Sequence, residues 1–267
     1  MKIKIIISVI LSFLILASCD SSLRKEKRVL VYIKNGEGFI HENIPASVDM
    51  ILKMGKENGF MVDVSNDPSV FVKENLDKYS ALIFSNTNNN IFDNNEQKLA
   101  FVRYIQAGGS FVGIHSACGS ERQWPWFWKM LGGKFLRHPP MQKYTISVID
   151  KNHRSTKFLG DTWEWEDEPY FLNNLNPDIH VVLAVDLSTV NDTKREEYPG
   201  VTFGDLFPAA WYHEFDGGRL FYSALGHEPE HYSDPKFIKH ILGGIIWAIG
   251  ENKKPDYSKA YATSVDN

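Results

Sequence analysis

The stretch Gly108-Gly109-Ser110-Phe111-Val112-Gly113-Ile114-His115-Ser116-Ala117 decides the fold. Two glycines end a helical pattern, an almost wholly apolar run follows, and that run breaks into small residues around a histidine. Near-continuous apolarity marks a strand covered on both faces, as the central strands of parallel sheets are. Upstream, the helical pattern starts at Asp93, and Glu96 stands three residues on in a capping-box arrangement. Ala81–Phe84 and Phe60–Val64 read as two more strands. Before them, the β-branched run Arg28–Ile33 leads through Asn35-Gly36-Glu37-Gly38 into a helical pattern over Ile44–Asn58. Strands alternating with helices predict an α/β, doubly wound open sheet.

Downstream the rhythm changes. Tyr144–Ile149 and Val181–Val185 read as strands with few helices between them, and Ala209–Phe215 and Arg219–Leu225 flank Asp216-Gly217-Gly218 in a hairpin pattern. An amphipathic helix over Pro235–Ile249 closes the domain, and residues 251–267 form a polar tail expected to be loose. Residues 28–250 therefore read as one domain.

The N-terminus has a separate logic. Lys2 and Lys4 precede an apolar run from Ile5 to Leu16 that ends in Leu16-Ala17-Ser18-Cys19. This is a secretory signal, too short for a comfortable transmembrane helix, and the small residues before cysteine resemble the lipobox of bacterial lipoproteins. Residues 1–18 are expected to be removed and Cys19 lipidated, with residues 19–27 as a tether. The expected location is a membrane-anchored lipoprotein on the periplasmic or cell-surface side of a Gram-negative bacterium. Cys19 and Cys118 are the only cysteines, so no intramolecular disulfide is then available. Stability must come from a core, for which seven tryptophans and seventeen phenylalanines suffice. Losing Lys2 and Lys4 takes the net charge from −4 to −6 without long charge runs, which argues against nucleic acid as a partner.

Ligands of doubly wound sheets gather beyond the carboxyl ends of the strands. Gly113-Ile114-His115-Ser116-Ala117 has the small-X-large-X-small outline of a nucleophile elbow, with His115 at its centre. His41 follows the first strand, His138 follows Gly132-Gly133, and His227 follows another strand, so all four imidazoles are expected at one end of the sheet. Asp167, Glu168 and Tyr170 lie in Trp163-Glu164-Trp165-Glu166-Asp167-Glu168-Pro169-Tyr170, either a solvated acidic loop or a sugar-binding run of rings and carboxylates. Glu168 is expected to join His41, His115 and His227 in catalysis, with His138, Tyr170, Trp211, Asp167 and Ser116 binding substrate. Ser116 is also a rival nucleophile with His227 as its base. Trp124-Pro125-Trp126-Phe127-Trp128 reads as packing, Cys118 as a small buried thiol, and Gly36 and Gly38 complete no phosphate-binding fingerprint. The donors of His41, His115, His227 and Glu168 suit a divalent metal, although no compact ligand motif is present.

These motifs carry a resemblance. Gly38-Phe39-Ile40-His41, the Gly108–Ala117 stretch, Gly132-Gly133-Lys134-Phe135 with His138, Asp167-Glu168-Pro169-Tyr170, Pro208–Trp211, Gly217-Gly218-Arg219 and Gly226-His227 together resemble the ThuA-like trehalose-utilization family. That resemblance implies a flavodoxin-like, class I glutamine amidotransferase-like architecture, mainly parallel with extra antiparallel strands in the C-terminal half. Its elbow lacks the cysteine of a glutaminase, and Gly226-His227-Glu228-Pro229-Glu230 stands where an amidotransferase has His-Pro-Glu. Cys118 beside the elbow departs from the family pattern. The resemblance also implies a disaccharide or glycoside substrate, including 3-keto sugars, and a sugar oxidoreductase in the same pathway. Two functions remain open: a sugar-processing hydrolase, lyase or isomerase using acid-base or metal-assisted chemistry, or a non-catalytic carbohydrate-binding lipoprotein.

Overall fold

The structure, a computed structural model, describes residues 26–195, 205–251 and 254–266. The expected signal sequence, the expected lipidation site Cys19 and most of the expected tether lie outside the described residues. Among those described, no helix is long and apolar enough to cross a membrane.

Five strands form the parallel half of one sheet: β1 (Arg28–Tyr32), β2 (Met61–Ser65), β3 (Ala81–Ser85), β4 (Ser110–Ile114) and, far later in the chain, β11 (Gly218–Ser223). Their spatial order is β2-β1-β3-β4-β11, with the centre at β3 and β4, whose residues are all buried. That burial is what the apolar run Ser110–Ile114 demands. The sheet continues antiparallel through β10 (Leu206–Phe215), β9 (His180–Asp186), β6 (Gln142–Val148) and β7 (Thr162–Asp167), giving nine strands. A separate pair, β5 (Lys134–Arg137) and β8 (Phe171–Asn173), is antiparallel.

The connections between strands carry α1 (Ile44–Asn58), α2 (Lys73–Leu76), α3 (Asn95–Gln106) and α4 (Pro125–Leu131), and α5 (Pro235–Ile249) follows the last strand. Side chains of β11 alternate between two helical layers. On one face Gly244 of α5 meets the Phe221 ring so closely that a Cβ there would lie 2.2 Å from it. On the other, a Cβ on Gly218 would lie 2.8 Å from Ile105 of α3. Helices therefore cover both faces, as the alternating pattern predicts.

Two expectations need correction. The N-cap of α3 is Asn94, whose side chain accepts from the Gln97 amide, while Gln97 reaches back to the Asp93 amide. The cap therefore sits one residue later than expected, and Gln97 rather than Glu96 reaches back, to the amide before the cap instead of to the cap's own amide. The described part of the tail is not loose. Ala262 is fully buried, its carbonyl accepts from Arg103, the Val265 carbonyl accepts from Trp124 Nε1, and Gln106 accepts from the Tyr261 and Ala262 amides.

Candidate functional site

The carboxyl ends of β1, β4 and β11 open at one rim of the sheet. The β1–α1 loop brings His41, the turn after β4 brings His115, and the segment after β11 brings His227. The chain leaving β7 returns Glu168 and Tyr170 to the same place. One ligand atom from each of His41, His115, Glu168 and His227 falls within a span of 4.8 Å.

His115 sits at φ 51° at the start of a tight 3-10 turn over His115–Gly119, in the left-handed region. A side chain held there marks a position where surrounding structure overrides local preference. The constraints are visible: Tyr222 donates to the His115 carbonyl at 2.8 Å, and the ring Nδ1 lies 2.8 Å from the Ala224 carbonyl. Beside a carbonyl, Nδ1 must carry the proton, so the neutral ring presents Nε2 as an acceptor. Tyr170 donates its hydroxyl to that Nε2 at 2.8 Å, and the same hydroxyl lies 3.5 Å from His41 Nε2. Ser116 Oγ is 3.2 Å from His41 Nδ1. A consistent direction has His41 Nδ1–H donating to Ser116 Oγ and Tyr170 donating to His115, which leaves the Nε2 lone pair of His41 unused.

Glu168 meets three imidazoles. His227 Nδ1 is 2.9 Å from Oε1, His138 Nδ1 is 3.2 Å from Oε2, and His115 Nε2 is 3.6 Å from Oε1. Burial alone would raise the Glu168 pKa, but the imidazoles of His115 and His227 beside it outweigh burial and hold the carboxyl far below its usual range. Burial likewise opposes charge on His227, yet the Glu168 carboxylate prevails and raises its pKa. His41 goes the other way: burial, reinforced by its neighbouring imidazoles, pushes it down to about 3.

A cavity of about 370 Å³ opens against this cluster. His41, Glu168, His227, Tyr170, Ser116 and His138 reach its wall. His115 does not; it is fully buried behind them. The outward nitrogens of the three clustered histidines each face an oxygen: Ser116 Oγ for His41, the Ala224 carbonyl for His115, and Glu228 Oε1 at 3.8 Å for His227. Such partners are what orient imidazoles toward a metal, so this donor set can hold a divalent cation.

A profile of the ThuA family, described as trehalose utilisation, matches residues 28–248. The chain belongs to the ThuA family. A ThuA-like protein from Bacteroides uniformis is 23% identical with TM-score 0.67, over 88% of this chain and 96% of that one. Another from Parabacteroides merdae is 20% identical with TM-score 0.61, over 84% and 90%. The fold also recurs in a cold-adapted β-galactosidase from Rahnella, 14% identical with TM-score 0.55, where it spans 87% of this chain but 32% of the larger enzyme. No curated protein is similar to the chain.

Within this ThuA domain, two of the residues expected to bind substrate do something else. Trp211 is fully buried and donates Nε1 to the Leu131 carbonyl, with its ring against Tyr222 and Gly132. Asp167 is also fully buried; its oxygens accept from Trp165 Nε1, the Glu168 amide and the Gly226 amide. It lies outside the cavity wall, and its bonds fix the backbone of Glu168 and of Gly226 beside His227. Period-two alternation was the available signal, since it sets Asp167 inward with Trp163 and Trp165 while Glu164 and Glu166 face out. Ser116 is paired with His41, not with His227 as expected for a nucleophile and its base. Trp124 and Trp126 stack on each other in the core, as the packing reading holds. Sequence reasoning missed Phe39, Asn88, Arg122 and Phe135, which complete the cavity wall. Phe39 and Phe135 stand inside motifs that carry the family resemblance, whereas no spacing or composition singles out Asn88 and Arg122.

Asn43 supports the site from behind. It occupies the cap position of α1 but makes no cap bond. Its amide nitrogen instead donates to the Gly226 and His227 carbonyls at 2.7 Å each, fixing the segment that presents His227.

Proposed function

We propose that the protein is a sugar-processing enzyme, carried on a membrane by lipid at Cys19, that acts on a disaccharide or glycoside, including its 3-keto form. Membership of the ThuA family supports a carbohydrate-related role. The observation that carries catalysis is the convergence of three imidazoles and one carboxylate at a sugar-sized cavity.

The environments separate the groups by role. His227, its pKa raised by Glu168, is the imidazole of the cluster that favours its protonated form and is the donor. His41 stays unprotonated and is the acceptor. Tyr170, its hydroxyl proton given to His115, holds that ring in place and lines the cavity. In a 3-keto glycoside the carbonyl acidifies the C2–H bond. Proton transfer from C2 to His41 and departure of the C1 glycosidic oxygen, with a proton from His227, cleave the sugar without a nucleophile. Ring-stacking surfaces for the sugar come from Phe39 and Phe135 at the cavity wall. The four clustered donors also fit zinc, manganese or iron, and such an ion would polarise sugar oxygens when bound. A sugar oxidoreductase is the partner that would supply the 3-keto substrate.

The test incubates the purified protein, with its metal content measured, with disaccharides and their 3-keto derivatives. Turnover that falls at least about 100-fold in both His41→Ala and His227→Ala, with folding retained, supports these roles. Unchanged turnover in both variants overturns them, and binding without product favours carbohydrate capture instead.

A further inference from the structure

Arg122 is a cation at the cavity wall that no acid balances. Its Nε donates to the Gly119 carbonyl at 3.0 Å and one terminal nitrogen donates to Asn88 Oδ1 at 3.2 Å. Its guanidinium lies 5.2 Å from the Phe135 ring centroid. All three partners are neutral, and among the described residues no carboxylate lies within ion-pair distance of it. A guanidinium stays charged at any physiological pH and keeps five N–H donors, of which these bonds use two.

The surroundings are shaped to hold it there. A Cβ on Gly119 would lie 2.5 Å from Asn88 Oδ1 and 3.2 Å from the Arg122 terminal nitrogen, so the turn after His115 ends in the one residue that lets both approach. Asn88 is itself fixed, accepting from the Asn89 amide and donating to the Phe39 carbonyl. An arginine stacked and tethered by neutral acceptors has lost its conformational freedom before any ligand arrives, and its remaining donors form a fork that suits a planar carboxylate. The cavity's other charge, Glu168, is already faced by His227 and His138. What remains is a single positive charge, which matches a monoanion better than a dianion.

We propose that Arg122 binds a carboxylate on the sugar, so that the site prefers a glycuronoside or similar acidic sugar over its neutral counterpart. This rests on the carbohydrate reading of the same cavity, but it concerns recognition and not the reaction. The planar carboxylate lies at the Arg122 and Asn88 side of the cavity, and the bond to be broken lies toward His41 and His227.

Equilibrium binding separates the two. Methyl β-glucuronoside, its methyl ester, methyl β-glucoside and glucose 6-phosphate are titrated into the full chain by calorimetry. The acid is expected to bind at least about tenfold tighter than the ester and the glucoside. Arg122→Gln should erase that preference, and Arg122→Lys, which keeps the charge, should restore part of it. A variant that merely loosened the fold would weaken all ligands alike and leave the ratio intact, which would count against the proposal. Equal binding of acid and ester, no binding of the acid, or tighter binding of the phosphate would each overturn it. Acid preference without turnover sustains this inference and removes the catalytic one; turnover of neutral sugars with the acid excluded does the reverse.

Discussion

At Asp167 the difference between a carboxylate and its amide is set by three donors. Trp165 Nε1 and the Gly226 amide both point at Oδ2, at 2.9 and 2.8 Å, and the Glu168 amide points at Oδ1. Asp167→Asn keeps the shape but turns one acceptor into a donor. Either Oδ2 or Oδ1 is replaced by NH₂, so at least one buried N–H loses its partner and faces another donor. Each such loss costs about 1–3 kcal/mol, and the expected destabilisation is about 2–4 kcal/mol. Urea unfolding measures it, and a change below about 1 kcal/mol would refute the assignment. The same variant should impair turnover, because the Glu168 and Gly226 backbones set where Glu168 and His227 stand. The residue types of this site were legible in the sequence: His41, His115, Glu168 and His227 converge as expected. Their depth was not. Nothing in the run of small residues after β4 says that His115 lies behind Tyr170, because that follows from β7 and β8 returning over it.

At the scale of the element, the turn after β4 explains its own composition. A Cβ on Gly113 would lie 2.9 Å from Tyr222 Cδ2, 3.1 Å from the Phe111 ring and 3.3 Å from the Ala117 Cβ. The small residues are therefore a requirement of close packing around the strained His115, as the elbow outline implies. Gly113→Ala is expected to push Tyr222 aside, and the Tyr222 hydroxyl is what holds the His115 carbonyl. The cost expected from overpacking is about 1–3 kcal/mol, read as a lowered Tm, with activity falling further than stability explains. Neighbouring Ala117→Gly adds no atoms, so it should leave Tyr222 in place and lose only a buried methyl. Strand and helix order were readable because periodicity reports burial, which local sequence encodes. Asn43 was not readable as a support for His227, since its partners lie more than 180 residues away in the chain.

Over the whole molecule, the described tail and the buried histidines show what the sequence leaves to tertiary structure. The tail reads as polar and loose, yet its backbone carbonyls satisfy Arg103 and the Trp124 indole. Composition cannot reveal such a role, because main-chain acceptors are the same in every residue. Truncation after residue 253 should therefore leave both donors short of partners and lower Tm. The buried histidines away from the site bear on acid stability. His240 is fully buried between the Ser155 carbonyl and Ser223 Oγ, and burial pushes its pKa down to about 4; His153, whose charge also disfavours that of His240, is pushed to about 4 as well. The fold holds both rings neutral, whereas the unfolded chain protonates them near pH 6.5. Below that value the unfolded state binds more protons, so stability falls as pH drops. The loss begins near pH 6.5, grows toward pH 4, and levels off once the folded rings titrate too. For His240 the full effect is on the order of 3 kcal/mol. Urea midpoints across this window should decline steadily in the wild type, and His240→Gln, which cannot take up a proton, should show a shallower decline from a lower starting stability. Parallel slopes for the two proteins would mean that His240 is not among the groups that set acid sensitivity.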